Sequence, residues 1–579
     1  MYLLRGLRLS LWGLCALGVA PGALAFDIEV RVEGVDGELR ANVESLLTIR
    51  QAARQGESRP HVLQRLHKRA KEDIEQALQP FGYYAPVVRS TLDLDEEAAT
   101  AEYRIEPGPR TRIRRVNIEV LGGGEDDPEL QGALEKLPLR ADQPLLHSDY
   151  RQAKERLIQI AFARGYFDVG YETAQIRVHR DDRYADIVLV LSTGPRYEVG
   201  EIRIDQDELD DAVIRRYLPI ASGDPFSPDA LLDTQFQLME LGYFSRVDVS
   251  PERDEAEEAR MPIRIEPRYL PSQRYAAGIG FGTDTGARVS LESDFRHINR
   301  RGHSIESDIR VSQRGADVGG SYNIPLGSIP GESLSFSTRY EREEFEDGDS
   351  ESYIIGASLA RQPGDWKRRT YLEYSTERFS VGDLRRTTNL LVPGVSFERK
   401  EFDNEVFPRN GWSVFLDTHG AAEPALSSTT FAQSRVALRG ILPLDAKSRL
   451  LGRFEYGASF VDSFDRLPLS ERFYAGGDRS VRGYAFRSLG EFDDEGNVIG
   501  GEYLTTMSVE VDRLIWGNWG AAAFLDAGGA GNTAFPEVSR GVGLGLRYRS
   551  PVGAVRVDLA HPLDKDRLVR LHIGIGISL

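Results

Sequence analysis

The stretch that most restricts the fold is Gly476-Gly477-Asp478-Arg479-Ser480-Val481-Arg482-Gly483-Tyr484. It reads as a loop, and the segments after it alternate as β-strands down to the last residue, Leu579. An arginine among glycines in so late a loop suggests a charged plug that folds back into the lumen of a β-barrel. A later strand, Phe524-Leu525-Asp526-Ala527-Gly528, offers the matching carboxylate.

The alternation from about residue 268 onward predicts strands that cross a membrane. In the last segment one face is formed by Leu571, Ile573, Ile575, Ile577 and Leu579, and the other face is polar or glycine. Apolar-out and polar-in is the pattern of a transmembrane barrel. A soluble β-sandwich also alternates, but the signal peptide described next favours the membrane barrel. About 310 residues at about 19 per strand and connection predict about 16 strands.

The N-terminal segment predicts export. Arg5 and Arg8 precede a short apolar run, and Ala23-Leu24-Ala25 supplies small residues for cleavage before Phe26. We interpret residues 1–25 as a signal peptide, because the apolar run is too short to be a membrane-spanning helix.

Composition excludes several classes of protein. Cys15 is the only cysteine, so the chain after cleavage can form no disulfide bond. The formal net charge of −18 makes nucleic acid an unfavourable partner, since its phosphates would be repelled. No later segment has the uninterrupted apolar run of a transmembrane helix.

A repeated triplet organises the N-terminal half. A helical pattern ends in glycine and two aromatic residues at Gly82-Tyr83-Tyr84, Gly165-Tyr166-Phe167 and Gly242-Tyr243-Phe244. Glycine suits the left-handed position that closes a helix. Strand-like runs on either side predict three β-α-α-β-β units, at residues 26–109, 110–194 and 195–267. The order resembles the POTRA fold; three generic α+β repeats are the alternative. The fold class is thus α+β repeats followed by an all-β membrane domain, residues 268–579.

Catalysis is not predicted. The sequence contains no zinc-protease, nucleophile-elbow or P-loop motif, and its nine histidines lack ligand-like spacing. Glycines recur at period two in Gly278-Ile279-Gly280-Phe281-Gly282 and in Gly541-Val542-Gly543-Leu544-Gly545. They do not indicate a dinucleotide site, because no helix follows them. We expect no enzyme activity, no cofactor and no metal.

Inward-facing acids are the predicted partners of the loop arginine. Asp526 shares a strand face with Phe524 and Gly528, and Glu510 lies on the inward face of a neighbouring strand. Arg482 is expected to bind Asp526 or Glu510 inside the barrel, since a buried arginine without a carboxylate would be costly.

Two of these segments resemble motifs of the outer-membrane assembly factors that carry POTRA domains. Val481-Arg482-Gly483-Tyr484 is similar to the motif in the sixth extracellular loop of that family, and Phe524 to Gly528 is similar to its Phe-x-Asp-x-Gly strand motif. By position, Glu510 resembles an acidic residue on the strand between. Three POTRA units resemble the TamA branch of the family, the translocation and assembly module subunit.

The resemblance implies a location and partners. It implies a barrel in the outer membrane of a Gram-negative bacterium, with the POTRA domains in the periplasm. The implied activity is insertion of unfolded outer-membrane proteins, including autotransporter-type clients. A TamB-like periplasmic and inner-membrane protein is the implied partner, and contact with outer-membrane lipid, with a share in phospholipid transport, is also implied. The alternative is a polypeptide-secreting pore of the two-partner secretion type.

Glycines mark both sides of the predicted seam between the first and last strands. Gly278, Gly280 and Gly282 share the inner face of the first strand, and Gly574 and Gly576 share that of the last. Glycine packs nothing and gains freedom when it is unpaired. The glycines therefore predict either simple fitting of the lumen or a seam that opens at low cost, where a client strand could pair.

Overall fold

The computed structural model describes residues 27–56, 59–95, 98–404, 406–550, 553–564 and 569–576. The predicted signal peptide, residues 1–25, lies outside this part of the chain, as do residues 577–579 at the predicted end of the last strand.

The first repeat contains a three-stranded sheet and three helices. Its elements are β1 (Asp27–Glu33), α1 (Gly37–Leu46), α2 (Thr48–Arg54), α3 (Pro60–Leu78), β2 (Val87–Leu94) and β3 (Ala98–Glu106). The strand order is β1-β3-β2, with β1 parallel to β3. Leu47 separates α1 from α2, so the first predicted helix is in two pieces. The buried core includes Leu63 and Ile74 of α3 and Tyr103 of β3.

The other two repeats have the same strand order. The second consists of β4 (Arg112–Leu121), α4 (Pro128–Glu135), α5 (His147–Ala163), β5 (Gly170–His179) and β6 (Tyr184–Ser192). The third consists of β7 (Glu198–Ile204), α6 (Asp211–Arg215), α7 (Pro228–Met239), β8 (Phe244–Pro251) and β9 (Arg260–Tyr269). Their sheet orders are β4-β6-β5 and β7-β9-β8. The predicted β-α-α-β-β arrangement is confirmed.

The glycine of each triplet ends its helical region as the sequence predicts. Gly82, Gly165 and Gly242 have φ values of +87°, +89° and +73°, which a residue with a Cβ rarely adopts. Pro60 and Pro228 occupy the first turn of α3 and α7, where proline is favoured because no intrahelical acceptor is available there.

The described strands after residue 272 close into a 16-stranded antiparallel barrel, which confirms the predicted fold. The strands are β10 (Gln273–Gly282), β11 (Gly286–Phe295), β12 (Ser304–Ser312), β13 (Gly315–Pro325), β14 (Ser333–Phe345), β15 (Gly348–Arg361), β16 (Lys367–Val381), β17 (Leu384–Phe402), β18 (Gly411–Ala421), β19 (Phe431–Pro443), β20 (Ser448–Val461), β23 (Tyr503–Trp516), β24 (Trp519–Gly531), β25 (Ser539–Ser550), β26 (Gly553–Pro562) and β27 (Arg570–Gly576). The short strands β21 (Glu491–Phe492) and β22 (Val498–Gly500) pair within the connection between β20 and β23. We call that connection, residues 462–502, loop 6.

The two faces of the barrel wall differ as the alternation predicts. Ile279 and Leu544 are 89% and 70% exposed on the outer face, whereas Asp526 on the inner face is fully buried. The helices in the described part of the chain include none that is both long and apolar enough to cross a membrane.

Candidate functional site in the barrel lumen

Loop 6 packs its glycine-rich stretch against the inner wall of the barrel. Val481, Arg482 and Tyr484 are 0%, 5% and 4% exposed. Val481 lies in an apolar cluster with Leu504 of β23 and Ala530 of β24. The glycine-rich stretch is therefore a packed segment, and its arginine points into the wall.

Arg482 forms a two-pronged ion pair with Asp526. Its Nε donates to Oδ2 at 2.7 Å and its Nη2 to Oδ1 at 3.0 Å, while its backbone N–H donates to Oδ2 at 3.1 Å. The centre of the guanidinium lies 3.3 Å from the centre of the Phe524 ring. Planar contact on both the carboxylate and the ring is geometry that arginine provides and lysine does not.

Two further acids surround the same guanidinium. Arg482 Nη1 donates to Glu510 Oε2 at 2.8 Å and to Asp558 Oδ2 at 3.0 Å. Arg547 of β25 binds both of these acids, Glu510 at 2.8 Å and Asp558 on β26. Removing one member of such a buried network leaves an uncompensated charge, which costs about 3–5 kcal/mol.

Glycines of β25 give the loop room to reach these acids. A Cβ built on Gly541 would collide with the backbone carbonyl of Arg482, and one on Gly543 would collide with the ring of Phe524. Gly528 of β24 allows close packing against the neighbouring strand β23 and not against the loop, because a Cβ there would come 2.8 Å from the carbonyl oxygen of Thr505. The period-two glycines thus mark a thin part of the wall.

The remaining motif residues contact the last three strands. The N–H of Gly483 donates to His572 Nε2 on β27 at 3.0 Å. Because Nε2 accepts this bond, the proton of the imidazole lies on Nδ1, which donates to Asp478 of loop 6. The hydroxyl of Tyr484 donates to the carbonyl oxygen of Arg540 at 3.2 Å.

The seam pairs two of the predicted glycines directly. Gly282 of β10 lies opposite Gly574 of β27, and the N–H of Thr283 donates to the carbonyl oxygen of Ile573 at 3.3 Å. In β27, Gly576 is opposite Ala554 of β26.

Other seam glycines accommodate side chains of the neighbouring strand β11. A Cβ on Gly278 would come 2.6 Å from Ser290 Oγ, and one on Gly280 would come 2.7 Å from Arg288 Nε. Fitting of the lumen therefore accounts for these two positions.

The turn after β10 also contacts loop 6. Asp284 in this turn accepts a hydrogen bond from the N–H of Asp478 at 2.6 Å through Oδ2. Burial of the Asp284 carboxyl, together with the adjacent Asp478 charge, raises its pKa above the usual value.

Comparison with known proteins identifies the family. The sequence model of the Omp85 superfamily domain matches residues 265–579, which is more than half of the chain. The chain belongs to the Omp85 superfamily. The model described as POTRA domain TamA domain 1 matches residues 29–107, and the POTRA model, described as surface antigen variable number repeat, matches residues 197–268.

Curated relatives and solved structures agree with this assignment. The chain is 23% identical over 523 residues to outer membrane protein assembly factor BamA of Nitratidesulfovibrio vulgaris, covering 85% of this chain and 65% of that protein. It is 23% identical over 598 residues to BamA of Neisseria meningitidis serogroup B, covering 88% and 72%. The crystal structure of Haemophilus ducreyi BamA lacking POTRA domains 1–3 superposes with a TM-score of 0.67 at 18% identity, covering 80% of this chain and 99% of that one. The chain spans 65% and 72% of the length of the two curated BamA proteins.

Membership of the Omp85 superfamily establishes the class of protein. The barrel is an outer-membrane barrel, and the POTRA domains lie outside it. Assembly factors of the BamA type are not enzymes.

Loop 6 of this Omp85 chain is also held on another part of the wall, away from the seam. His419 of β18 contacts Asp417 through Nδ1 at 2.6 Å and Glu471 of loop 6 through Nε2 at 3.0 Å. The N–H of Ser470 donates to Glu377 of β16 at 3.3 Å. Ion pairs thus hold two separate parts of the loop.

The sequence identified some members of the lumen site and missed others. The structure brings Arg482 together with Asp526, Glu510 and Phe524. Sequence reasoning missed Asp558, Arg547, His572 and His419. Alternation alone places Arg547 and Asp558 on inward faces, so a search of every inward charge in the last strands would have found them. His419 has a carboxylate two residues earlier on the same face, a signal that was also available.

Proposed function

We propose that the protein inserts unfolded β-barrel proteins into the outer membrane at the seam between β10 and β27. The observation that carries this proposal is the pairing of Gly282 with Gly574 at the place where the barrel closes. Cross-strand side-chain pairs elsewhere in a sheet contribute about 0.2–1 kcal/mol each, and a glycine pair contributes none. An opened seam exposes backbone groups that a client strand satisfies by pairing.

Occupation of the lumen supports a lateral route over a central one. Arg482 is bound to Asp526, Glu510 and Asp558, so a polypeptide passing through the lumen would first have to break this buried network. A polypeptide-secreting pore of the two-partner type is therefore the second candidate. Passage of a polypeptide through its lumen would require release of loop 6.

A TamA-type role is the finer form of the proposal. It is supported by three POTRA units and by the similarity of residues 29–107 to the first TamA POTRA domain. In this form the POTRA domains lie in the periplasm and bind a TamB-like partner. The clients are autotransporter-type and other barrel proteins, and the protein takes part in phospholipid transport.

A disulfide across the seam tests the lateral route. Gly282 and Gly574 are adjacent to the hydrogen-bonded Thr283–Ile573 pair, so they form the closer, non-hydrogen-bonded type of pair, which suits a disulfide. Gly282→Cys with Gly574→Cys should stop client insertion by the full chain in lipid vesicles when oxidised, and reduction should restore it. The measurement is the fraction of an added, urea-denatured client that becomes resistant to protease.

A matched disulfide controls for the chemistry. The hydroxyls of Ser293 and Ser307 on β11 and β12 are 2.6 Å apart, so Ser293→Cys with Ser307→Cys joins two strands that need not separate. This variant should insert clients whether oxidised or reduced. Unchanged insertion by the oxidised seam variant would contradict the lateral route and favour the lumen.

A further inference from the structure

The extracellular end of the seam contains oxygen atoms that the Arg482 network does not use. Asp284, Asp478 and His572 each place a potential ligand atom within 4.8 Å of the others. Asp284 lies in the turn between β10 and β11, Asp478 in loop 6 and His572 on β27. The cluster therefore joins the loop to both strands of the seam.

Two of the buried oxygens at this place have no partner among the described residues. Asp284 is 7% exposed, and its Oδ1 is buried without a hydrogen bond, as is the hydroxyl oxygen of Thr285. Burying such an acceptor without a partner is unfavourable, and more so when it is charged. Burial and the adjacent Asp478 charge raise the pKa of Asp284, and the nearby charge of Arg570 on β27 offsets only part of this.

Oxygen atoms of Thr285 and Asp478 both lie beside Gly282 of β10. Thr285 Oγ1 and Asp478 Oδ2 lie 3.1 Å and 4.0 Å from the Cβ position of Gly282. Gly477 has a φ of +101°, and a Cβ there would come 2.5 Å from Asp284 Oδ2, so glycine at this position lets loop 6 approach the carboxylate. Asp478 is partly exposed, which leaves a path from solvent.

We propose that Asp284, Asp478 and Thr285 bind a divalent cation of the Ca²⁺ or Mg²⁺ class at the extracellular end of the seam. Such cations take oxygen ligands, and the carboxylates of Asp284 and Asp478 each place an oxygen within 4.8 Å of the other. Zinc fits less well, because the imidazole of His572 already uses both nitrogens, accepting from Gly483 and donating to Asp478. His572 is then a positioning residue that orients the Asp478 carboxylate.

The bound cation would connect the turn after β10 to loop 6, and His572 would connect loop 6 to β27. A cation at this position therefore favours the closed seam. The site requires only that loop 6 docks as observed, so it does not depend on client insertion.

The test compares the full chain in phosphatidylcholine vesicles with EDTA and with 1–10 mM Ca²⁺ or Mg²⁺, a range spanning the weak affinities of about 10⁻⁴–10⁻³ M seen in extracellular sites. At ten times Kd, binding to the folded state alone raises the ratio of folded to unfolded protein about 11-fold. We expect that shift in a urea titration followed by tryptophan fluorescence. Exchange of the Thr283 amide with deuterium should slow in parallel.

Variants separate this site from general effects of divalent cations. Asp284→Asn and Thr285→Val should each lose most of the cation-dependent shift, whereas Asp494→Asn, at an exposed acid of the same loop, should retain it. The proposal would be overturned by a wild-type midpoint that is the same in EDTA and in cation, by an undiminished shift in Asp284→Asn, or by a shift with Zn²⁺ alone.

Discussion

Two contacts of loop 6, only four residues apart, use charge in opposite ways. At Arg482 the guanidinium meets three carboxylates and an aromatic ring, and Asp526 is fully buried. At Asp478 the loop meets Asp284, whose second oxygen has no partner among the described residues. Among the described residues, the first contact has a partner for each charged group and the second does not. A buried network in which every polar group has a partner fixes the position of the loop, whereas one with an unpaired group can still bind a ligand or rearrange.

The largest expected effect comes from reversing the charge at the complete contact. Arg482→Glu places a fourth carboxylate among Asp526, Glu510 and Asp558, and should destabilise the folded barrel by about 3–5 kcal/mol. Arg479→Glu is the matched control, because Arg479 is exposed three residues earlier in the same loop. The urea midpoint of each full-length variant in lipid vesicles measures the difference.

A charge swap tests whether Arg482 and Asp526 act as a pair. Arg482→Asp combined with Asp526→Arg should recover part of the loss, though not all, since β24 has little room for a longer side chain. If the stability lost in the double variant equals the sum of the losses in the two single variants, the two residues are not coupled.

A smaller effect is expected where the loop approaches Asp284. Gly477→Ala introduces a Cβ at a φ of +101° and 2.5 Å from Asp284 Oδ2, so it should cost about 2–3 kcal/mol. Gly496→Ala has a similar φ, +88°, but no atom within 4 Å of its Cβ, and should cost about 1 kcal/mol. The difference between the two urea midpoints isolates the close approach. If both variants lose the same stability, backbone strain explains everything and the contact with Asp284 contributes nothing.

The smallest effect comes from deleting single hydroxyls at the two contacts. Ser508 Oγ donates to Asp526 Oδ1 at 2.6 Å, so Ser508→Ala should cost about 0.5–1.5 kcal/mol. Thr285→Val removes a buried hydroxyl without a partner and keeps the shape, so in EDTA it should be neutral or stabilising. The comparison is made by urea titration in EDTA. A cost for Thr285→Val as large as that of Ser508→Ala would mean that both contacts are complete.

Much of the barrel could be predicted because its signals are local. Strict alternation of apolar and polar residues indicates a barrel wall with lipid on one side, and glycine before two aromatic residues indicates where a helix ends. Arg482 and Asp526 could be matched because a buried guanidinium requires a carboxylate. Asp558 was not predicted, because Arg482 and Arg547 share three acids between them. The number of partners around a charge depends on how strands far apart in sequence come together.

The sequence by itself determined the alternation of the strands, the triplet repeats and the need of Arg482 for an acidic partner. Each of these follows from local backbone geometry or from the cost of burying charge. Tertiary structure decided the register at the seam, which places Gly282 opposite Gly574, and the meeting of Asp284, Asp478 and His572. These contacts join residues almost 300 positions apart, and only closure of the barrel and docking of loop 6 bring them within bonding distance.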